Sequence, residues 1–470
     1  MPDRANRAVR RIEVMNEHTR GKRLTQHSLR TLRHVPDSAR SFGISDSELV
    51  VCQSQDTLTS AAQAAPAVIP HRLIAELMSN ADRPFLAIYV AWHPAYAEGE
   101  QMAQLLHDHF RRKLYENVTG GTGLSVLFRS APAPGSVTPL LIQFDEAETT
   151  AIVVLAESNL VRDKAWCEYV RDLAARTEEA GFGARLFVVA LEQGALSIGI
   201  EEQALRLYLW EGDSAALRRR LIRELAYEFC RMLRHYLEHL KHPLEEEAAL
   251  EIFLKKVQIF LSHSKHDEDG VRIAMAIRQW LQDSSSLGSF FDVHDIPGSV
   301  KFQKVLLYQV KMSAVVAIHT DSYSAREWCR KEIIEAKRWC VPLIVANCIN
   351  DLDERGFPYM ANVPIVRMNP KGPDRIDIII GRLIDEVLKD FLWRCRTELA
   401  KAVKGATVVF VSRPPELISL AALPPAEEMP QPLMVYPDPP LSAEEAKLFA
   451  DVAPRVRLRS MTEWIAESGT

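Results

Sequence analysis

Short, continuous apolar runs alternate with longer helical stretches along most of this chain. Residues 83–90, 256–261, 314–318 and 342–346 are runs of the first kind, and residues 270–281 read as a helix following the second of them. Continuous apolar runs bounded by polar loops predict strands buried on both faces of a parallel sheet, with helices as crossovers. A seam of Leu217, Leu221, Leu225, Phe229, Leu233, Leu237 and Leu240 predicts a long helix with one apolar stripe. A second long helix is predicted from about residue 374 to residue 403.

The pattern repeats. Pro134-Gly135 and Pro297-Gly298 lie 163 positions apart, and Trp166 and Trp328 lie 162 apart. Arg220-Leu-Ile222 and Phe229 stand 162 before Arg382-Leu-Ile384 and Phe391. Four anchors at nearly one spacing predict two tandem copies of one strand–helix unit, each closed by a long bracing helix. The expected fold class is therefore α/β, with parallel-sheet domains at 72–245 and 250–403. Residues 404–470, where nine prolines fall within 414–440, predict a small α/β appendage. Residues 1–71 are expected to form a low-order N-terminal region, and the first 34 carry nine Lys/Arg against three acids. A solvated tail is the simpler expectation there than an arm for nucleic acid or anionic lipid.

Composition narrows the function classes. A hydrophobic content of 47%, a charged content of 25% and a net charge of -5 are ordinary globular values, and they give no general reason to expect nucleic-acid binding. The seven cysteines are scattered, with no Cys-x-x-Cys and no Cys/His set at metal-ligand spacing. A reducing, cytoplasmic setting without a metal follows as the expectation. No apolar run approaches the roughly 18 residues of a spanning helix, so no membrane is expected.

One segment carries chemistry. Asp321-Ser-Tyr-Ser-Ala-Arg-Glu-Trp-Cys-Arg-Lys-Glu332 leaves a strand and enters a helix near Arg326. Trp328 and Glu332 are four apart, which predicts one helix face and one shared pocket. An indole for stacking beside a carboxylate for hydroxyls or a cation suits a nucleotide with a labile glycosidic bond. In the first copy the tryptophan register puts Val170 at the place of Glu332. Its loop Val90-Ala-Trp-His-Pro94 has no Ser or Lys at the places of Ser262 and Lys265.

With these residues in view, the second copy resembles a TIR (Toll/interleukin-1 receptor) domain over about 257–370. The resemblance rests on Ile259-Phe-Leu-Ser-His-Ser-Lys-His-Asp267, on Asp292-Val-His-Asp-Ile-Pro-Gly298, and on Ser322-Tyr-x3-Glu-Trp-Cys-x-x-Glu332, in that order. It implies two tandem flavodoxin-like domains, the first degenerate, and a Trp-x-x-x-Glu site of NAD+-cleaving type. NAD+ would be the substrate rather than a cofactor. Glu332 would be catalytic, Trp328 would stack on the ligand, and the turn Ser262-His263-Ser264-Lys265 would line the pocket. Asp292, His294 and Asp295 are expected to shape their loop, and Cys329 to fill a small buried space. The resemblance further implies TIR–TIR self-association, an unidentified trigger or sensor protein, and a bacterial antiviral setting. The product would be ADP-ribose or a cyclic form of it. A non-enzymatic adaptor acting through homotypic TIR contacts is the alternative.

Overall fold

The computed structural model describes residues 83–115, 123–241, 256–283, 288–290, 307, 310, 313–353, 355–372, 374–404 and 408–468. All of them belong to one unit, Ile69–Thr470. The basic N-terminal region and the segment Asp292-Val-His-Asp-Ile-Pro-Gly298 lie outside the described residues.

The first half runs β1 (Leu86–Trp92), α1 (Gly99–His107), β2 (Ser125–Arg129), β3 (Thr149–Ala156), α2 (Ser158–Arg162), α3 (Lys164–Glu179), β4 (Ala184–Ala190), β5 (Leu205–Arg206) and α4 (Ser214–Lys241). The second half runs β6 (Gln258–Ser262), α5 (Glu268–Asp283), β7 (Gly288–Phe290), β8 (Ala314–His319), α6 (Glu327–Arg338), β9 (Leu343–Asn347), β10 (Ile365–Arg367) and α7 (Ile376–Lys404). Both sheets are five-stranded and parallel, ordered β2-β1-β3-β4-β5 and β7-β6-β8-β9-β10. Numbered within each half, that order is 2-1-3-4-5, the flavodoxin-like arrangement. The appendage contributes β11 (Val408–Phe410), α8 (Leu417–Leu420), β12 (Leu433–Tyr436), α9 (Ala443–Val452), β13 (Arg457–Ser460) and α10 (Met461–Ser468). Its three strands are parallel, in the order β11-β12-β13. No helix among the described residues is long and apolar enough to cross a membrane.

Strand alternation explains how the two sheets are joined. Leu86, Ile88, Val90 and Trp92 face one way along β1, and Ala87, Tyr89 and Ala91 face the other. The first set enters a core that also takes in Ile259 and Leu261 of β6, Val316 of β8 and the buried faces of α1, α4, α5 and α7. These helices therefore lie between the sheets, and each sheet's other face has its own smaller core.

Helices α4 and α7 run side by side in the same direction. Arg219 near the start of α4 pairs with Asp377 near the start of α7 at 2.6 Å. Further along, the Cys395 thiol donates to the Leu233 carbonyl at 3.4 Å. His109, on the π-helical extension Asp108–Lys113 of α1, meets Asp385 of α7 at 2.9 Å. The predicted stripe is the buried face of α4, with Leu221, Leu225, Phe229, Leu233 and Leu237 all at 2% exposure or less.

The ladders correct one sequence-based alignment. Ser125 on β2 and Gly288 on β7 occupy equivalent rungs, as do Ala151 on β3 and Ala314 on β8, both 163 apart. The buried residues Trp166, Tyr169, Val170 and Leu173 of α3 match Cys329, Glu332, Ile333 and Ala336 of α6 at that same spacing. Tyr169, not Val170, is thus the counterpart of Glu332. The two Trp-Cys pairs resemble each other in sequence but sit one position apart in helical phase.

Two outcomes follow. Phe229 is fully buried, with Phe110 and Phe187 ring centroids 5.2 and 5.4 Å away. Phe229→Ala should cost about 3–5 kcal/mol in denaturant unfolding, and hydrogen exchange should rise in β3 and β8 together because they share that core. His235 on α4 is buried beside the Phe182 ring, with Arg185 3.4 Å from its Nδ1. Burial lowers its pKa to about 4, with Arg185, His239 and Arg234 acting in the same direction. Above pH 6.5 the ring is neutral folded or unfolded. Between there and about 4 only the unfolded chain takes up the proton, so stability should fall with falling pH. His235→Gln should flatten that part of a stability–pH profile.

Candidate functional site

In each sheet the strand order reverses between the first and third strands of the half, so the chain leaves them in opposite directions. In the second half those strands are β6 and β8, and the crevice at their carboxyl ends is where open α/β sheets accommodate ligands. Ser262 is the last residue of β6 and His319 the last of β8. The residues that follow each strand converge here, and α6 closes the outer side.

Three of these side chains form a chain of hydrogen bonds. Ser262 Oγ lies 2.5 Å from Tyr323 OH and donates to Glu332 Oε2 at 2.5 Å. The serine has a single proton to give, so the tyrosine donates to the serine and the serine to the carboxylate. All three are buried, at 1%, 0% and 5% exposure for Ser262, Tyr323 and Glu332. Burial, together with the nearby Cys329 and Glu332, drives the Tyr323 pKa well up and keeps its hydroxyl protonated.

A second set of bonds holds the loops around this chain. His263 is buried and its Nδ1 donates to the Leu261 carbonyl at 3.0 Å. Ser322 Oγ is 3.1 Å from both Ser264 Oγ and Asp267 Oδ2, tying the loop after β8 to the loop after β6. Asp267 also receives the Asp269 and Gly270 amides at the start of α5. Burial opposes its ionisation. The Thr320 hydroxyl, the Gly270 amide, the Ser322 hydroxyl and the Asp269 amide outweigh burial and hold its carboxyl below the usual carboxylate range. On the other side of β8, His319 Nε2 contacts Ser324 Oγ at 3.1 Å and Asp353 Oδ2 at 3.0 Å.

The expected site residues divide into two groups. Ser262, His263, Ser264 and Glu332 are buried around the crevice. Trp328 and Lys265 are not with them. Trp328 is 40% exposed, with the Lys331 ammonium 4.7 Å from its ring. Four residues of helix turn through about 400°, which leaves Trp328 at the rim of the buried face that Glu332 occupies. Lys265 is exposed, on an open depression of about 440 Å³ lined also by His266, Glu268, Val271, Arg272 and Met275. That lining includes neither Glu332 nor Trp328. Cys329 is buried, donates its thiol to the His263 carbonyl at 3.5 Å, and has its pKa pushed up by burial and by Glu332. That is the environment of a packing residue and not of a nucleophile.

Tyr323, Ser322 and Asp267 stand in the motifs quoted for the resemblance but were given no role in the site. For Tyr323 the signal was the other copy read in the ladder register. At the places of Ser262, Tyr323 and Glu332 the first half has Ala91, Leu160 and Tyr169, all buried.

No protein-family model and no curated protein matches the chain. Among solved structures, a glycotransferase of kitacinnamycin is 12% identical, covering 68% of this chain and 97% of that one at a TM-score of 0.20. Tagatose-6-phosphate ketose/aldose isomerase from Escherichia coli is 10% identical, covering 68% and 87% at a TM-score of 0.18. Likenesses of this size carry no argument about the site.

The direction of the hydrogen-bond chain sets an order of costs. Ser262→Ala leaves both a buried hydroxyl and a buried carboxylate short of a partner, whereas Tyr323→Phe removes only the far donor. Urea denaturation should show Ser262→Ala costing about 1–3 kcal/mol and Tyr323→Phe costing less. The reverse order would mean that the serine is not the central link.

Proposed function

We propose that the second half is a TIR-type NAD+ nucleosidase with one site per chain, and that the first half is its structural or regulatory partner. The observation that supports this most is the position of Glu332. It is a buried carboxylate at the strand-order reversal, in a place where the first half has a tyrosine. Breaking the nicotinamide–ribose bond develops an oxocarbenium-like charge on the ribose, as in glycoside hydrolysis. Nicotinamide leaves as a neutral base, so no general acid is required. A carboxylate beside the ribose and exclusion of bulk water are what the reaction needs.

In this reading Glu332 binds the ribose hydroxyls and stabilises the developing charge. The Ser262 hydroxyl holds the carboxylate until a ribose hydroxyl takes its place. Trp328 at the rim stacks on an arriving ring, and Lys265 meets the pyrophosphate from outside. The substrate is NAD+, the setting is cytoplasmic, and the biological role is that of a triggered defence effector assembled through TIR–TIR contacts.

One observation favours a second reading. Glu332 is sealed, at 5% exposure, as would suit a non-enzymatic adaptor whose site residues only stabilise the domain. Nicotinamide release from NAD+, followed also with an etheno analogue, separates the two. Glu332→Gln should lower turnover by about a hundredfold or more, and Trp328→Ala should raise KM more than it lowers kcat. Equal release from wild type and Glu332→Gln would sink the catalytic assignment.

A further inference from the structure

We propose that the C-terminal appendage is a clamp on α6, and that Glu416 positions Glu332 by acting through Lys337. The activity part of this inference rests on the catalytic reading above, and the clamp itself does not.

The contacts are specific. Lys337 lies on α6 five residues beyond Glu332, about 7.5 Å along the axis and about 140° round it, so the two mark opposite edges of the buried arc of one rigid helix. Its side chain is 4% exposed, and its ammonium donates to Glu416 Oε1 and to the Ala361 carbonyl, both at 2.6 Å. Glu416 is itself fixed, because it is the N-cap of α8 and its amide donates to Ser419 Oγ at 3.1 Å. Around this pair the Ser412 hydroxyl donates to the Cys340 carbonyl at 3.1 Å, and Arg413 donates to the Val341 carbonyl at 3.5 Å. The appendage therefore grips the chain where α6 ends and turns into β9.

Charge makes the grip consequential. Burial lowers the pKa of the Lys337 ammonium, and Glu416 opposes that shift with a hydrogen bond and its charge. Removing one partner of a buried pair also strands a charge, so the effect of the lost grip itself is read where both partners are replaced. Among the described residues the first half has no appendage, and in the ladder register the counterpart of Lys337 is Ala174, which packs on an apolar core. A buried lysine at this position thus accompanies the one domain that has a carboxylate arriving from outside it.

The test uses the full-length chain, with hydrogen exchange read over residues 327–338 and over 164–179 and 268–283 as internal references. Nicotinamide release from NAD+ is measured in parallel. Glu416→Gln should raise exchange in 327–338 by about tenfold or more while the reference helices stay unchanged. It should lower kcat by about tenfold or more with KM within about twofold, because the carboxylate is displaced and not removed. The double variant Lys337→Met/Glu416→Gln leaves no stranded charge, and it should remain impaired in both readouts if the clamp is what matters. Recovery in the double variant would overturn the proposal, as would unchanged exchange in 327–338 or an equal rise in the reference helices. Should Glu416→Gln fail to fold, the double variant alone decides. If the untriggered wild type releases no nicotinamide, the exchange result alone decides the clamp.

Discussion

The seam between α4 and α7 is the constraint from which the rest of the architecture follows. Each sheet directs one of its faces toward these two helices, and Phe229, Leu233, Leu383 and Leu388 are buried in one core with residues from both sheets. A parallel sheet needs cover on both faces, and here the inner cover is common property. The chain has thereby placed its two inner faces out of reach of any ligand. What remains for chemistry is the outer layer and the carboxyl ends of the strands, where α6 and the loops after β6 and β8 lie.

That constraint explains why some features were legible in the sequence and others were not. Strands such as β8 and β9 announced themselves because burial on both faces demands an unbroken apolar run. The stripe of α4 was visible for a related reason, since a helix between two sheets needs a continuous apolar face. The register between the halves was misread because an identical Trp-Cys pair outweighed the strands as a guide. A tryptophan packs on the core at Trp166 and stands at the rim at Trp328, so the same two letters mark different helical phases. The link between Ser262 and Glu332 spans 70 residues. No local pattern encodes a pairing of that range, which only the adjacency of β6 and β8 brings about. Lys337 was invisible for the same reason, because its partner lies in the appendage.

The two halves also allow the fold's requirements to be separated from those of a site. Ala91, Leu160 and Tyr169 occupy the positions of Ser262, Tyr323 and Glu332 in the same topology and at comparable burial. The domain type therefore folds with largely apolar residues at these places. Sealing a carboxylate and two hydroxyls in the second half brings a desolvation cost that this set of hydrogen bonds offsets only while every member is present. Stability alone gives no reason to keep such a chain where its neighbour does without one. Departures from local consistency of this kind concentrate at functional sites. The departure here falls at the point where the strand order reverses, on a helix whose far end is held by a separate part of the chain. Polar residues that the fold could replace, in the crevice that the topology leaves open, are what distinguish the second half from the first.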